Sequence, residues 1–318
     1  VIIKIFMTKP ILVIGKSGQL GRTLQKVLQN LSNTFKSKPY LIEHGEKLNK
    51  SDLNFIFVER NELDLLNLET INSFFQNDKF YAIINCAAYT SVDEAEINIE
   101  LAEQINHIAV AKLATISKNQ DIPFIHISTD YVFGGKAYKP YEEKDVTEPL
   151  NTYGLTKYKG EKVIAESGCN GAIIRTSWLY SEFGNNFVKT MIGLGKERES
   201  INVIDDQVGS PTYAKNLANL LLTILYRDRT NKILNSQLNI YHFSDEGACS
   251  WYDFAKSIFK ISNISCKINP VKTVDFPSRA KRPQNNVMSK TKIKKYIPDL
   301  VIPHWHDSLI NCLIEIKK

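Results

Sequence analysis

Tyr153 and Lys157 lie four residues apart in Asn151-Thr152-Tyr153-Gly154-Leu155-Thr156-Lys157. On a helix that spacing puts both side chains on one face, with the ammonium near the phenol. A free phenol has a pKa of about 10 and is a poor base near neutrality. A neighbouring cation favours the phenolate and moves the group toward useful proton exchange with an alcohol. The spacing alone recurs by chance in surface helices. Thr129, in Ser128-Thr129-Asp130-Tyr131 and 24 residues before Tyr153, makes it specific. A hydroxyl at a strand's carboxyl end can hydrogen-bond a substrate carbonyl oxygen and stabilise charge developing there.

A second constellation precedes it. Gly15-Lys16-Ser17-Gly18-Gln19-Leu20-Gly21 follows an apolar run, Ile11–Ile14, and opens a helical pattern. Glycines with this spacing permit a tight turn and let a pyrophosphate reach backbone N–H groups at a helix N-terminus, so the loop is expected to hold a dinucleotide. A Walker-type phosphate loop does not fit, because Lys16-Ser17 stands in the wrong place relative to the glycines. At the second strand's end are Glu59-Arg60, an acid suited to a ribose 2′-hydroxyl beside a cation suited to a 2′-phosphate. Asp64-Leu65 can approach the adenine, or Asp64 can cap the next helix. Asn85-Cys86-Ala87-Ala88-Tyr89-Thr90 ends the third strand in small residues that let a cofactor lie against the backbone. Asp93, in Val92-Asp93-Glu94-Ala95, reads on spacing as a helix cap, with substrate contact as the alternative. Trp178, after a strand, reads as a core residue or a site residue.

The elements that must position these groups alternate. Strands are predicted at Ile11–Ile14, Phe55–Val58, Ala82–Cys86, Phe124–Ile127 and Ala172–Arg175. Helices are predicted at Thr23–Leu31, Leu68–Phe75 (capped by Asp64 or Asn67) and, as one long helix, Ala102–Asn119. This alternation implies right-handed crossovers and an α/β, Rossmann-type, doubly wound parallel sheet. Later elements are expected at Asn185–Leu194, Ala214–Tyr226 and Trp251–Phe259 (helices) and at Ile201–Ile204 and Ile240–Phe243 (strands). Residues 32–54 read as a polar insertion with an extra strand at Tyr40-Leu41-Ile42.

The 318 residues are 43% apolar, enough for a large core, and carry a net charge of +6. That charge is dispersed without a basic stripe interleaved with aromatics, which argues against a nucleic-acid partner. Five scattered cysteines without C-x-x-C spacing suggest reduced thiols in a cytoplasmic protein, with neither a zinc site nor a disulfide frame. Val1–Phe6 is too short for a signal peptide or membrane span, and Met7 is a candidate start.

Taken together, the chain resembles the extended short-chain dehydrogenase/reductases, and within them the dTDP-4-dehydrorhamnose reductases. The resemblance rests on Gly15–Gly21, Asn85–Glu96, Ser128–Gly134, Pro149–Gly154 and Arg175–Tyr180. Asn185–Phe187, Asp206-Gln207-Val208-Gly209-Ser210-Pro211-Thr212 and Arg282-Pro283 complete it. It implies reduction of the C4 ketone of dTDP-4-dehydro-β-L-rhamnose by NADPH, with NADH also possible, in the synthesis of dTDP-rhamnose for surface polysaccharide. Thr129, Tyr153 and Lys157 would be the catalytic triad, with Tyr153 as general acid. Gly15, Ser17, Gly18, Gln19, Leu20, Gly21, Arg60, Asp64, Leu65, Ala87, Ala88 and Tyr89 would bind the cofactor with Tyr153 and Lys157. Thr90, Val92, Asp93, Thr129, Tyr131 and Trp178 would line the substrate site. Residues 1–178 would form the NAD(P)-binding domain, with parts of 200–245 returning to it. Residues 179–318 would mainly form a smaller mixed α/β substrate-binding domain. In some members an acidic residue two positions after the last loop glycine helps bind magnesium at a dimer interface; here Thr23 stands there, which makes magnesium doubtful and leaves monomer or homodimer open. A nucleotide-sugar epimerase would share the loop and the Tyr/Lys pair. A dehydratase would need Asp-Glu after the Thr, and Asp130 is followed by Tyr131. A non-catalytic NADP-binding regulatory subunit, like the β subunit of methionine adenosyltransferase, is the alternative from another class.

Overall fold

The computed structural model describes residues 9–33, 54–76, 79–231, 234 and 236–318. The candidate start and the extra strand at 40–42, with nearly all of the 32–54 insertion, lie outside them.

Six strands form one parallel sheet in the order β10-β5-β4-β3-β1-β2. They are β1 (Ile11–Ile14), β2 (Phe55–Val58), β3 (Ala82–Asn85), β4 (Phe124–Thr129), β5 (Gly171–Thr176) and β10 (Leu238–His242). β1 is buried on both faces, which explains its unbroken apolar sequence. Ile11 and Val13 join one core cluster with Leu24, Leu217 and Leu221; Leu12 and Ile14 join the opposite one with Ile71, Val110, Leu113 and Ile164. Because β2 and β3 flank β1 on opposite sides, the chain changes direction between β1 and β3. The crevice at their carboxyl ends is where such sheets hold ligands.

The helices in the first half are α1 (Gln19–Asn33), α2 (Leu68–Phe74), α3 (Val92–Ala95), α4 (Ile99–Glu103), α5 (Ala109–Asn119) and α6 (Thr152–Ser167). Asn67 caps α2, its Oδ1 accepting from the N–H groups of Glu69 at 2.9 Å and Thr70 at 3.2 Å. Asp64 therefore does not cap it; its carboxylate accepts from Leu66 N–H at 3.0 Å. The expected long helix over 102–119 is interrupted by a π turn, Gln104–Ile108, between α4 and α5. Such turns carry a local irregularity that can aim a side chain inward. Here fully buried Asn106 accepts from Tyr89 N–H at 2.9 Å and donates to Tyr89 O at 3.0 Å and Thr156 Oγ1 at 3.1 Å.

The second half adds α7 (Phe187–Glu197), α8 (Ala214–Asn231), α9 (Trp251–Ser262), α10 (Thr291–Tyr296) and α11 (Trp305–Lys317). Short strand pairs join it: β6 (Leu179–Tyr180) with β9 (Thr212–Tyr213), β7 (Ser200–Ile204) with β12 (Lys267–Val271), and β8 (Val208–Gly209) with β11 (Cys249–Ser250). Tyr180, Val188, Phe254, Ile258, Trp305 and Leu309 give this lobe its own core.

Candidate active site

A cavity of about 730 Å3 opens at the carboxyl ends of β1, β3, β4 and β5, between the main sheet and the second lobe. Gly15 turns at φ +96°, and a Cβ there would come within 2.9 Å of Ala87 N. Glycine thus lets the end of β1 lie against the end of β3. Gly21 does not line the cavity: a Cβ on it would meet Gly15 O at 2.2 Å, so this glycine seats α1 against the loop. Ser17, Gly18, Gln19 and Leu20 do line it. Gln19 Oε1 accepts from Ser181 Oγ at 3.0 Å and Asn186 Nδ2 at 2.9 Å, tying the loop to the second lobe. Thr23 is buried, its hydroxyl donating to Gln19 O at 2.7 Å.

At the end of β2, Glu59, Arg60, Asp64 and Leu65 all border the cavity. The Arg60 side chain is 73% exposed and its Nε lies 3.4 Å from Asp64 Oδ1. Lys16 Nζ is 3.9 Å from Glu62, and neither residue borders the cavity. Beside β3, Ala87, Ala88, Thr90 and Val92 are wall residues. Tyr89 is not; its backbone is held by Asn106.

Asp93 neither caps α3 nor lines the cavity. Ser91 is the N-cap, and the Asp93 carboxylate clamps residues 278–282. Its Oδ2 accepts from Arg282 Nη2 at 2.5 Å, and Oδ1 accepts from Arg282 Nη1 at 3.1 Å and Ala280 N–H at 3.0 Å. The Arg282 bond leads in holding its carboxyl down at about 2. Arg282 also interacts electrostatically with the Tyr131 phenol, linking this clamp to the cavity wall.

Asn151 caps α6, accepting from Gly154 N–H at 2.8 Å. A Cβ at 154 would lie 2.3 Å from Tyr131 O, so only glycine lets α6 approach the end of β4 this closely. That approach sets the Tyr153 phenol beside the Thr129 hydroxyl in the cavity wall. Thr129 Oγ1 donates to Asp130 Oδ1 at 2.9 Å and accepts from Tyr131 N–H at 3.2 Å. Asp130 is buried, which pushes its carboxyl up to about 6, and Asn286 Nδ2 donates to it at 2.5 Å.

Lys157 differs from its expected role. Its Nζ donates to Ile127 O at 2.6 Å and lies 3.0 Å from His126 Nε2. Burial pushes it down to about 8, against the raising effect of Glu161 and Cys86. Burial also pushes the Tyr153 phenol up to about 12, with the Thr129 hydroxyl opposing and Asp130 reinforcing the shift. The expected drift toward phenolate is absent: desolvation of the phenol dominates, and the Lys157 amine is engaged with Ile127 O and His126. The phenol keeps its proton near neutrality.

Trp178 lines the cavity while packing against the second lobe's core. It stacks on Trp251 with ring centroids 3.4 Å apart and planes at 7°, and both indoles line the cavity. Trp178 holds φ +46°, an unfavourable region for a bulky residue that costs on the order of 1–3 kcal/mol. Gly209 accommodates it, since a Cβ there would lie 2.6 Å from the indole. Thr212 N–H donates to Trp178 O at 3.1 Å, and Ser177 Oγ donates to Ser210 O at 2.6 Å. The Asp206–Thr212 stretch is thus the seat of this tryptophan. Sequence reasoning missed Trp251, which opens an ordinary amphipathic helix, and Thr176, whose hydroxyl is buried without a partner in the cavity wall. It also missed His126, hidden in an apolar strand pattern.

The chain matches the RmlD substrate binding domain family over residues 8–318. It is 36% identical to the dTDP-4-dehydrorhamnose reductase of Aggregatibacter actinomycetemcomitans, over 90% of this chain and 92% of that protein. It belongs to this family. A crystal structure of a dTDP-4-dehydrorhamnose reductase from Clostridium acetobutylicum superposes with a TM-score of 0.84 at 36% identity, covering 97% of this chain and all of that one. The Bacillus anthracis enzyme in complex with NADP gives 0.83 at 36% identity, covering 96% and 99%. The fold is the extended short-chain dehydrogenase/reductase fold, and the chain is an enzyme of the oxidoreductase class. Among the described residues, no helix is long and apolar enough to cross a membrane.

Proposed function

We propose that this enzyme reduces the C4 ketone of dTDP-4-dehydro-β-L-rhamnose with NADPH, Tyr153 acting as general acid, in the synthesis of dTDP-rhamnose in the cytoplasm. The observation that carries the reading is the protonated Tyr153 phenol, set beside Thr129 in the wall of a cavity whose rim is the glycine loop. Reduction needs a proton donor at the nascent alkoxide, and a phenol kept near 12 retains its proton at neutral pH. Thr129 orients the carbonyl oxygen toward that phenol. At rest its single hydroxyl proton lies on Asp130 Oδ1 at 2.9 Å, so it turns from that carboxylate to the carbonyl oxygen when substrate arrives.

The residues present suit a dinucleotide. Gly15 leaves room for a close approach to the backbone, the first turn of α1 faces the same space, and the orphaned Thr176 hydroxyl needs a polar partner. The reduced nicotinamide supplies the hydride when bound. Arg60, on the cavity rim at the end of β2, favours a 2′-phosphate and therefore NADPH, a preference supported by the NADP complex of the Bacillus anthracis relative. Trp178 and Trp251 offer a flat apolar shelf, suited to a sugar or a base, opposite the catalytic helix.

The test follows reduced-cofactor absorbance with enzymatically prepared dTDP-4-dehydrorhamnose, using NADPH and NADH side by side. Turnover that favours NADPH is expected. Tight NADP binding with no consumption would overturn the reductase reading in favour of a regulatory subunit. Faster turnover of another dTDP-4-keto-6-deoxysugar would reassign the substrate.

A further inference from the structure

Beneath Lys157 runs a chain of buried polar groups that the reaction does not explain. Ala87 N–H, at the end of β3 in the cavity wall, donates to Asn85 Oδ1 at 3.1 Å. This orients the Asn85 amide, whose nitrogen then faces His126 Nδ1 at 3.2 Å. Asn85 and His126 are register partners on β3 and β4, and both are fully buried. An amide nitrogen only donates, so Nδ1 must accept. Burial, reinforced by Lys157, keeps the imidazole well below its ordinary range and therefore neutral. A neutral imidazole has one N–H, which must be on Nε2 and point at Lys157 Nζ, 3.0 Å away. An ammonium has no lone pair to receive it, whereas a neutral amine can accept that bond and still donate to Ile127 O at 2.6 Å.

We infer that Asn85 and His126 form a tautomer lock that favours the neutral amine of Lys157. Charging Lys157 takes one proton from solvent and obliges His126 to carry its own proton on Nδ1 and to free Nε2 as an acceptor. That arrangement sets two donors against each other at Asn85 unless its amide turns and gives up Ala87 N–H. The charge of Lys157 and the backbone beside the cavity are therefore coupled.

The other groups facing Lys157 do not supply a free anion. Glu161, one turn along α6, is committed to Arg175 and Ser128. The Cys86 thiol and the Tyr153 phenol are each pushed by burial to about 12 and stay neutral. Asp130 is bonded to Thr129 and Asn286. Asn85 and His126 are thus positioning residues that act through Lys157.

The direct test is long-range proton–nitrogen correlation NMR of the full chain labelled at histidine nitrogens, with His126 identified by its loss in His126→Phe. At pH 9 to 10 the Nε2–H tautomer is expected, giving way to Nδ1–H as the pH falls through the Lys157 titration. The Nδ1–H tautomer at every pH would overturn the lock. Asn85→Asp offers a carboxylate that accepts from Nδ1–H while still accepting from Ala87 N–H. It should fix the Nδ1–H tautomer throughout and make Nε2 an acceptor for the ammonium.

A second readout rests on the proposed cofactor site. The pH above which NADP affinity falls should move up by about one unit in Asn85→Asp, a tenfold change in the proton equilibrium of Lys157. An unchanged binding profile with an unchanged tautomer would sink the inference. If neither protein bound NADP, the cofactor reading would fail and the imidazole spectrum would still decide the lock.

Discussion

Arg175 and Lys157 are both buried cations beside β4, and they are handled in opposite ways. Arg175 is gripped by Glu161, at 3.0 Å from Nε and 2.7 Å from Nη2, and Ser128 Oγ donates to the same carboxylate at 2.5 Å. Its Nη1 also reaches Glu143 O, and its guanidinium lies over the Phe133 ring. Lys157, one helical turn before Glu161, has no carboxylate within ion-pair distance among the described residues; it has a carbonyl and an imidazole. A buried charge with a bidentate partner is settled and inert, and removing the partner is costly. A buried amine without one has a displaced proton equilibrium and is available for chemistry. The difference separates a structural layer under the strand ends from a reactive layer above it.

Breaking the reactive layer should cost activity and little stability. Tyr153→Phe is expected to lower kcat by about two to four orders of magnitude, the usual range for losing a general acid. NADP affinity and the melting temperature should stay near wild type, checked by steady-state assay, titration and calorimetry. Near-normal turnover would remove Tyr153 from its assigned role.

Breaking the structural layer should do the reverse. Glu161→Gln leaves Arg175 charged and buried without its anion, and about 3–5 kcal/mol of unfolding free energy should be lost. The urea midpoint reads this directly, and an unchanged midpoint would mean that the pair is not a stabilising unit.

The pH dependence of stability sharpens the contrast. In the folded protein Lys157 titrates at about 8, below the 10.5 of an ordinary lysine. Between those values the unfolded chain binds more protons, so this residue makes stability rise with pH across the window. Below pH 8 the penalty is full, about 3 kcal/mol for this shift. Lys157→Met should abolish that slope, so its stability relative to wild type is greatest below pH 8 and declines as the pH rises to 10.5. Parallel curves for the two proteins from pH 7 to 10 would contradict the displaced lysine.

The smallest expected effect is at Thr129. Thr129→Val removes one hydroxyl from the carbonyl pocket and should lower kcat by about tenfold to a hundredfold, below the Tyr153 loss. Thr129→Ser should recover most of it. A Val variant as impaired as Tyr153→Phe would mean that Thr129 positions the phenol as well as the substrate.

The parallel sheet was legible because β1, β3, β4 and β5 are short apolar runs bounded by loops, a pattern set by burial on both faces. Thr129, Tyr153 and Lys157 converge because a strand end, an Asn151 cap and Gly154 are local devices that sequence displays. The π turn at Gln104–Ile108 was not legible, since nothing in an apolar helical pattern announces that Asn106 must turn inward to hold Tyr89. Asp93 read as a cap because its partner, Arg282, is 189 residues away.

Composition and spacing alone thus determined the fold, the glycine loop and the meeting of Thr129, Tyr153 and Lys157 at one cavity, because each depends on neighbours within a few residues or on simple burial. Only the tertiary structure decided the charge on Lys157, the proton on Tyr153 and the stacking of Trp178 on Trp251. Those depend on how much water is excluded and on which distant polar atoms fill its place, and neither is written in the local order of residues.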